Sequence, residues 1–366
     1  MFRIALLLAY SSWVMGCQKT PVMTIDPKIT ESERMALSAS DSIIAVKSSY
    51  YDQYFTRSAA YGWTGGDGAT SFLLPDGNSF WLFGDSFMDT VYPDRHRPST
   101  SFIHNSIVIT DQFGKFQTLY GGTKESPKPF FDGVEPIQYW PGTGFANQQL
   151  NKLFVTLATI EIIPNGGMWG FKLVGNTVGV MGWPDLKLQE IFTFTNRDKV
   201  DWASANFEEN GYVYLYGAES VPFDKYVHVC RFPSATPYKQ VQYYDGNDWV
   251  ADSTKSKRLL NGISEQYSFF KYKNKYYLLS QESLLGPNIY LWDAASPVGP
   301  FTNKRRLYKT PEAKGNVITY NAFAHPQLIV DDKLLVGYCT NSMGDWEIWK
   351  NADLYKPYFV WVSNWQ

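Results

Sequence analysis

The chain has 366 residues, 44% of them hydrophobic and 17% aromatic, and its 33 Lys+Arg against 35 Asp+Glu leave a net charge of −2. That is ample apolar material for a sizeable core, and β-rich chains of this length often form one domain. The near-neutral balance excludes the basic footprint of a nucleic-acid binder and electrostatic attachment to an anionic membrane surface.

Residues 1–17 read as a lipoprotein signal peptide. Arg3 supplies the positive charge, Ile4 to Met15 form an apolar run too short to span a bilayer, and Gly16-Cys17 follows. A small residue directly before cysteine resembles a bacterial lipoprotein cleavage site, with Cys17 as the lipidated residue, although Val14 departs from the usual Leu. The alternative is an ordinary signal peptide cut nearby. Either way the protein is expected to be exported. As an outer-membrane lipoprotein it would face the periplasm or the outside and meet the membrane through its lipid anchor alone. Residues 18–50 read as a tether, with a short helix near Glu31 to Ala45, and residues 51–366 as the globular domain, expected to be a monomer.

The domain opens on Trp63-Thr-Gly-Gly-Asp-Gly-Ala-Thr-Ser-Phe-Leu-Leu-Pro-Asp-Gly-Asn-Ser-Phe-Trp-Leu-Phe-Gly-Asp-Ser86. Asp76-Gly77 is a hairpin turn signal between two runs rich in β-formers. Asp67 lies at the start of the first strand and Asp85 at the end of the second, so both carboxylates fall at the open end, among glycines that leave the backbone approachable. The hairpin recurs. Taking Gly77, Asn151, Gly211, Asn274 and Asp332 as anchors, the copies fall roughly 60 to 75 residues apart. Eight residues beyond the anchor stand Asp85, Glu219 and Glu282, each followed by serine, with Thr159 and Thr340 in the other two copies.

Five hairpin units, each followed by further strand-like sequence, predict an all-β fold, a five-bladed β-propeller with blades near 55–118, 130–195, 198–252, 260–310 and 316–366. A β-sandwich is the competing arrangement, and the even repeat favours the propeller. In a propeller the open strand ends converge on one mouth of the central channel. Asp201, Glu265 and the segment Tyr320 to Pro326 join the rim there, together with Trp63, Trp140, Trp202, Tyr267, Glu282 and Asn321 as ligand-binding candidates. Carboxylates accept hydrogen bonds from sugar hydroxyls, flat aromatic faces pack on sugar rings, and a pair of carboxyls can cleave a glycosidic bond. Two other readings stay open, a rim that binds sugar without cleaving it and acids that bind calcium or cap strand ends. No organic cofactor is implied. With four histidines and no CxxC or HExxH pattern, a structural zinc is not expected. Cys230 and Cys339 sit in alternating runs and read as buried thiols, although an oxidising compartment would permit a disulfide.

Gly65-Gly-Asp-Gly-Ala, Leu74-Pro-Asp-Gly, Trp81-Leu-Phe-Gly-Asp-Ser-Phe87, Asn105-Ser-Ile-Val, Trp202-Ala, Tyr212-Val-Tyr-Leu-Tyr-Gly217, Ser296-Pro-Val-Gly-Pro300 and Tyr320-Asn-Ala-Phe-Ala-His-Pro326 resemble a family of exported bacterial proteins, most without an assigned activity. That family is related to the five-bladed propeller glycoside hydrolases, endo-acting D-arabinofuranases among them. The resemblance covers nearly the whole chain after residue 55. It implies a glycan substrate, makes Asp67 and Asp85 the acids of the signature motif, and places Asn105 and His325 in matching segments. The expected roles follow from position. Asp67, at the glycine-hemmed start of the innermost strand, is expected as base or nucleophile. Glu265 starts the first strand of the fourth blade beside Tyr267, whose aromatic surroundings would keep it protonated, and is expected as general acid, with a mere strand cap as the alternative. Asp85 and Glu219, which share the repeat position, are expected as orienting carboxylates, and Asn105 and His325 on sugar hydroxyls.

Overall fold

The computed structural model describes residues 29–38, 41–58, 62–98, 101–111, 113–196, 199–344 and 346–366. The leader and Cys17 lie outside the described residues. The anchor of every predicted hairpin adopts the left-handed backbone its turn needs, with φ of 86° at Gly77, 50° at Asn151, 79° at Gly211, 65° at Asn274 and 60° at Asp332.

The five hairpins found five antiparallel blades, four of which run outward in chain order, so the fold is a five-bladed β-propeller. The first begins with Gly65–Leu73 and Ser79–Phe87, the second with Ile137–Asn147 and Lys152–Ile162, the third with Val200–Glu209 and Tyr212–Val221, and the fourth with Tyr267–Tyr272 and Lys275–Gln281. The fifth blade has Val317–Ala324, Leu334–Ser342 and Pro357–Ser363, and its outer strand is Ile44–Lys47. Ile44 pairs with Ser363 and Lys47 with Val360, so the two ends of the domain close the ring. The stretch expected to be tether up to residue 50 therefore contributes part of the propeller. Its partner strand lies at the far end of the chain, and no local turn signal announces such a pairing.

Each blade buries both faces because alternate side chains point to opposite sides of a strand. Between the first and second blades Phe80, Leu82 and Ile107 meet Leu153, Val155 and Leu157. Between the fourth and fifth, Tyr277, Leu279 and Leu291 meet Val336, Tyr338 and Val360. At the closing junction the short helix Ser49–Tyr54 covers the fifth blade, and Phe55 is driven between blades, 4.9 Å from Trp81 and 5.2 Å from Phe359 by ring centroids. Cys230 and Cys339 are both buried free thiols.

Candidate functional site

The innermost strands are laced to one another around the axis. Thr70 Oγ1 donates to Gly142 O at 2.6 Å, Asn206 Nδ2 to Gly144 O at 2.9 Å, Ser204 Oγ to Glu265 O at 2.8 Å, and Ala324 N to Ser268 Oγ at 2.7 Å. Ser71 Oγ and His325 Nδ1, 2.7 Å apart, close the circle. Gln266 Nε2 reaches from the fourth blade to Pro141 O of the second, 3.4 Å away, and so bridges the axis. Every first strand starts at one face of this ring and every second strand ends there. The carboxylates at those positions therefore share one face, the mouth.

Two carboxylate groups stand at the mouth. In the first blade a double register shift around Gly66 and Gly68 turns Asp67 inward. Gly84 opposite leaves room for that carboxyl, since a Cβ there would lie 2.5 Å from Asp67 Oδ1. Tyr320 Oη of the fifth blade donates to Asp67 Oδ2 at 2.8 Å, and Tyr355 adds a hydrogen bond. Burial and the nearby charge of Asp85 push the Asp67 carboxyl well above the ordinary carboxylate range, against the opposing effect of the two tyrosines. Asp85 Oδ1 accepts no hydrogen bond, and His104 Nδ1 lies 3.5 Å from it. Gln138 Nε2 stands 2.8 Å from His104 Nε2, so an amide N–H on that nitrogen leaves the imidazole proton on Nδ1, facing Asp85.

The second group joins the third and fourth blades. Asp201 Oδ1 accepts from Asn176 Nδ2 at 2.7 Å and from Ala203 N at 3.1 Å. Burial, then the negative charge of Glu265, raise its carboxyl well above the ordinary range. Glu265 is the more open partner, with 39% of its side chain exposed, and it pairs with Lys225 Nζ and accepts from Ser220 Oγ at 3.1 Å. The charge of Glu265 adds to burial in disfavouring the ionised form of Asp201, so Asp201 keeps its proton to higher pH than a lone surface carboxylate would. Among the described residues no group of three or more His, Cys, Asp or Glu side chains is arranged to hold a metal ion.

The other expected site residues divide. Trp140 is half-buried beside the axis and packs on Phe171 at 4.7 Å. Asn321 is half-buried next to Tyr320, at a φ of 53° inside the register shift of its strand. Glu219 is at the mouth end of its strand but not in the site. Arg258 grips it with Nε to Oε2 at 2.7 Å and Nη2 to Oε1 at 2.9 Å, His228 Nε2 stands 2.9 Å away, and Arg258 above all lowers its carboxyl to about 2. It is a fixed anion in a structural network, which its repeat position could not reveal. Glu282 accepts from Asn288 N and Nδ2, at 2.9 and 2.8 Å, and shapes its own loop.

Five further candidates are core. Trp63 and Trp202 are sealed in inter-blade packing, and the Tyr267 hydroxyl is spent on Gly217 O at 2.9 Å. Asn105 is wholly buried and brackets the approach to the second blade, bonding Phe131 O at 2.9 Å and Tyr139 O at 2.8 Å. His325 is wholly buried against Trp81, and burial drops its pKa to about 3, so it is a neutral lacing residue of the inner ring. None of the five can touch a ligand. Conversely, Tyr355, His104, Asn176 and Lys225 frame the mouth without belonging to the repeated position. Only their neighbours in space mark them.

Comparison with solved structures finds the same propeller. A candidate hydrolase from Bacteroides ovatus is 24% identical, with a TM-score of 0.75, over 88% of this chain and 91% of that one. An exo-beta-1,3-galactanase from Clostridium thermocellum is 12% identical, with a TM-score of 0.50, over 87% of this chain but only 62% of its own length. The catalytic domain of a GH62 alpha-L-arabinofuranosidase from Coprinopsis cinerea is 11% identical, with a TM-score of 0.47, over 82% and 92%. No curated protein matches the sequence. The family model described as a domain of unknown function, DUF5005, matches residues 48–365, and the chain belongs to that family.

Proposed function

We propose that the protein is a glycoside hydrolase whose reacting carboxyls are Asp67 and Glu265. One observation carries the reading. Two enclosed carboxylates from different blades, Asp67 and Asp201, open at one mouth, and each faces a second carboxylate, Asp85 or Glu265. Hydrolysis needs this division of labour. One carboxyl protonates the leaving glycosidic oxygen as its bond to the anomeric carbon breaks, and another carboxylate activates water or attacks that carbon. Glu265 is the exposed member of its carboxylate pair and passes the proton to the leaving oxygen. Asp67, fixed by two tyrosine hydroxyls, acts ionised as base or nucleophile. Asp201 stands behind Glu265 as its buried partner, and Asp85 tunes Asp67. The substrate is a cell-wall glycan. The galactanase of similar fold makes β-1,3-galactan one polymer to try first, and the resemblance noted in the sequence adds the arabinofuranose-containing polymers arabinan and arabinoxylan.

The protein should release new reducing ends from at least one such glycan. Asp67→Asn and Glu265→Gln should each cut turnover by roughly two to four orders of magnitude while the fold and glycan binding persist. No product from any glycan, together with micromolar binding of one, would instead establish a binding module. We further propose that the domain is exported and held at a membrane through Cys17.

A further inference from the structure

In each blade the loop between the second and third strands lies at the mouth face, and each carries an exposed large apolar residue. Tyr92, Trp169, Phe223, Leu284 and Trp346 are 42%, 57%, 84%, 66% and 64% exposed in blades one to five. Three of them carry a second cost. Phe223, Leu284 and Trp346 have φ of 68°, 57° and 62°, a backbone region that glycine or asparagine fills at less expense. One bulky apolar residue held out into water in the same loop of every blade, three of them on unfavourable backbone, marks a contact surface at the mouth.

The two tryptophans connect this rim to the acids. Trp169 packs on Phe171 at 6.3 Å, and Phe171 on Trp140 at 4.7 Å. Trp140 packs in turn against the cluster of Ala158, Ile160 and Ala203, and the Ala203 amide holds Asp201. On the other side Trp346 packs on Trp349 at 5.1 Å, Trp349 on Phe87 at 5.3 Å, and Phe87 on Tyr355 at 5.7 Å. Tyr355 hydrogen-bonds Asp67. One aromatic row thus runs outward over the second blade from the Asp201 side, and the other over the fifth blade from the Asp67 side. These blades flank the first, so a ligand lying from one row to the other passes Asp67 and Asp85.

Building on the hydrolase reading, we propose that the mouth takes an extended glycan chain, with Trp169 and Trp346 as remote sugar-stacking platforms on either side of the bond to be cleaved. A chain of many sugars has the apolar ring faces and the reach to occupy both rows at once, whereas a mono- or disaccharide does not. The net charge of −2 gives no pull toward an anionic bilayer as the occupant.

The test is binding of arabinan, β-1,3-galactan and arabinoxylan oligosaccharides, from dimer to octamer, to the Glu265→Gln protein by calorimetry. Affinity should rise with length. Trp169→Ala and Trp346→Ala should each lower the ratio of octamer to dimer affinity roughly tenfold. Phe113→Ala alters an 80% exposed residue on the opposite face and should leave every value as it was. Equal losses at all lengths, no loss, no dependence on length, or no binding of any glycan would overturn the proposal. So would tryptophan-dependent cosedimentation with phosphatidylcholine vesicles without tryptophan-dependent glycan binding. Length-dependent, tryptophan-sensitive binding by a protein that hydrolyses nothing would sustain this proposal and sink the hydrolase reading. Turnover with no length dependence would do the reverse.

Discussion

The Tyr320 hydroxyl donates to Asp67 Oδ2 at 2.8 Å, across the junction between the last blade and the first. The bond favours the ionised carboxyl against burial and Asp85, which both oppose it. Removing it in Tyr320→Phe should raise the Asp67 pKa further. As a base or nucleophile Asp67 must be ionised, so the acidic limb of kcat/KM should move to higher pH, by about one unit if the bond to the charged group contributes its usual strength. An unmoved limb would separate Asp67 from that limb.

The same burial makes these carboxylates costly to the fold, and the sign is fixed. A group whose folded pKa is raised loses stability as pH climbs from the ordinary carboxylate value, near 4, through the folded value. Asp67→Asn and Asp201→Asn should therefore raise Tm at pH 8, and the gain should vanish toward pH 4. Asn can still accept from Asn176 and Ala203, so lost hydrogen bonds should not mask the effect at position 201. Thermal melts across pH on inactive protein give the answer without any substrate.

Glu219 should behave in the opposite way. Its carboxyl is lowered to about 2 by Arg258 first and then His228, so its contribution is complete above the ordinary value and disappears as pH falls toward 2. Glu219→Gln should lower Tm at neutral pH, converge on wild type in strong acid, and leave the pH profile of catalysis in place. A collapse of turnover at unchanged stability would return Glu219 to the active site.

Closure of the ring gives a stability test. Phe55 is fully buried between Trp81 and Phe359, where the N-terminal segment seals the first blade to the last. Phe55→Ala should cost about 3–5 kcal/mol in denaturant unfolding, as for other large aromatic truncations in cores. A loss below 1 kcal/mol would mean the seal is not cooperative with the propeller.

Metabolic labelling with a fatty acid tests placement. Wild type should take up label and Cys17→Ala should not. Equal labelling would exclude lipidation at that residue.

Much of the fold was legible because turns are local. Asp76-Gly77 and Asn210-Gly211 specify left-handed backbone within two residues, and their spacing counts the blades. The closing strand Ile44–Lys47 was not, because its register is set by residues more than 300 positions away. At the site, the starts of the inner strands were informative: Asp67, Asp201 and Glu265 all reach the mouth. The ends of the second strands were not, because that strand is one step from the axis. Asp85 faces the mouth, while Glu219 meets Arg258, which lies 39 residues on. Residue type also misled. Trp63, Trp202, Tyr267 and His325 are chemically suited to sugars, but only packing decides whether a ring faces a ligand or a neighbouring blade.

The division of labour between Glu265 and Asp67 is tested most directly by changing the leaving group. Protonation matters most when the departing oxygen is a poor leaving group, as in a natural glycan, and little when it is an activated aryloxide. Turnover of Glu265→Ala should therefore fall by roughly two or more orders of magnitude on the glycan and far less on the matching dinitrophenyl glycoside, whereas Asp67→Ala should abolish both. If Glu265→Ala slows both substrates equally, or neither, Glu265 is not the proton donor, and the assignment built on its pairing with Asp201 is wrong.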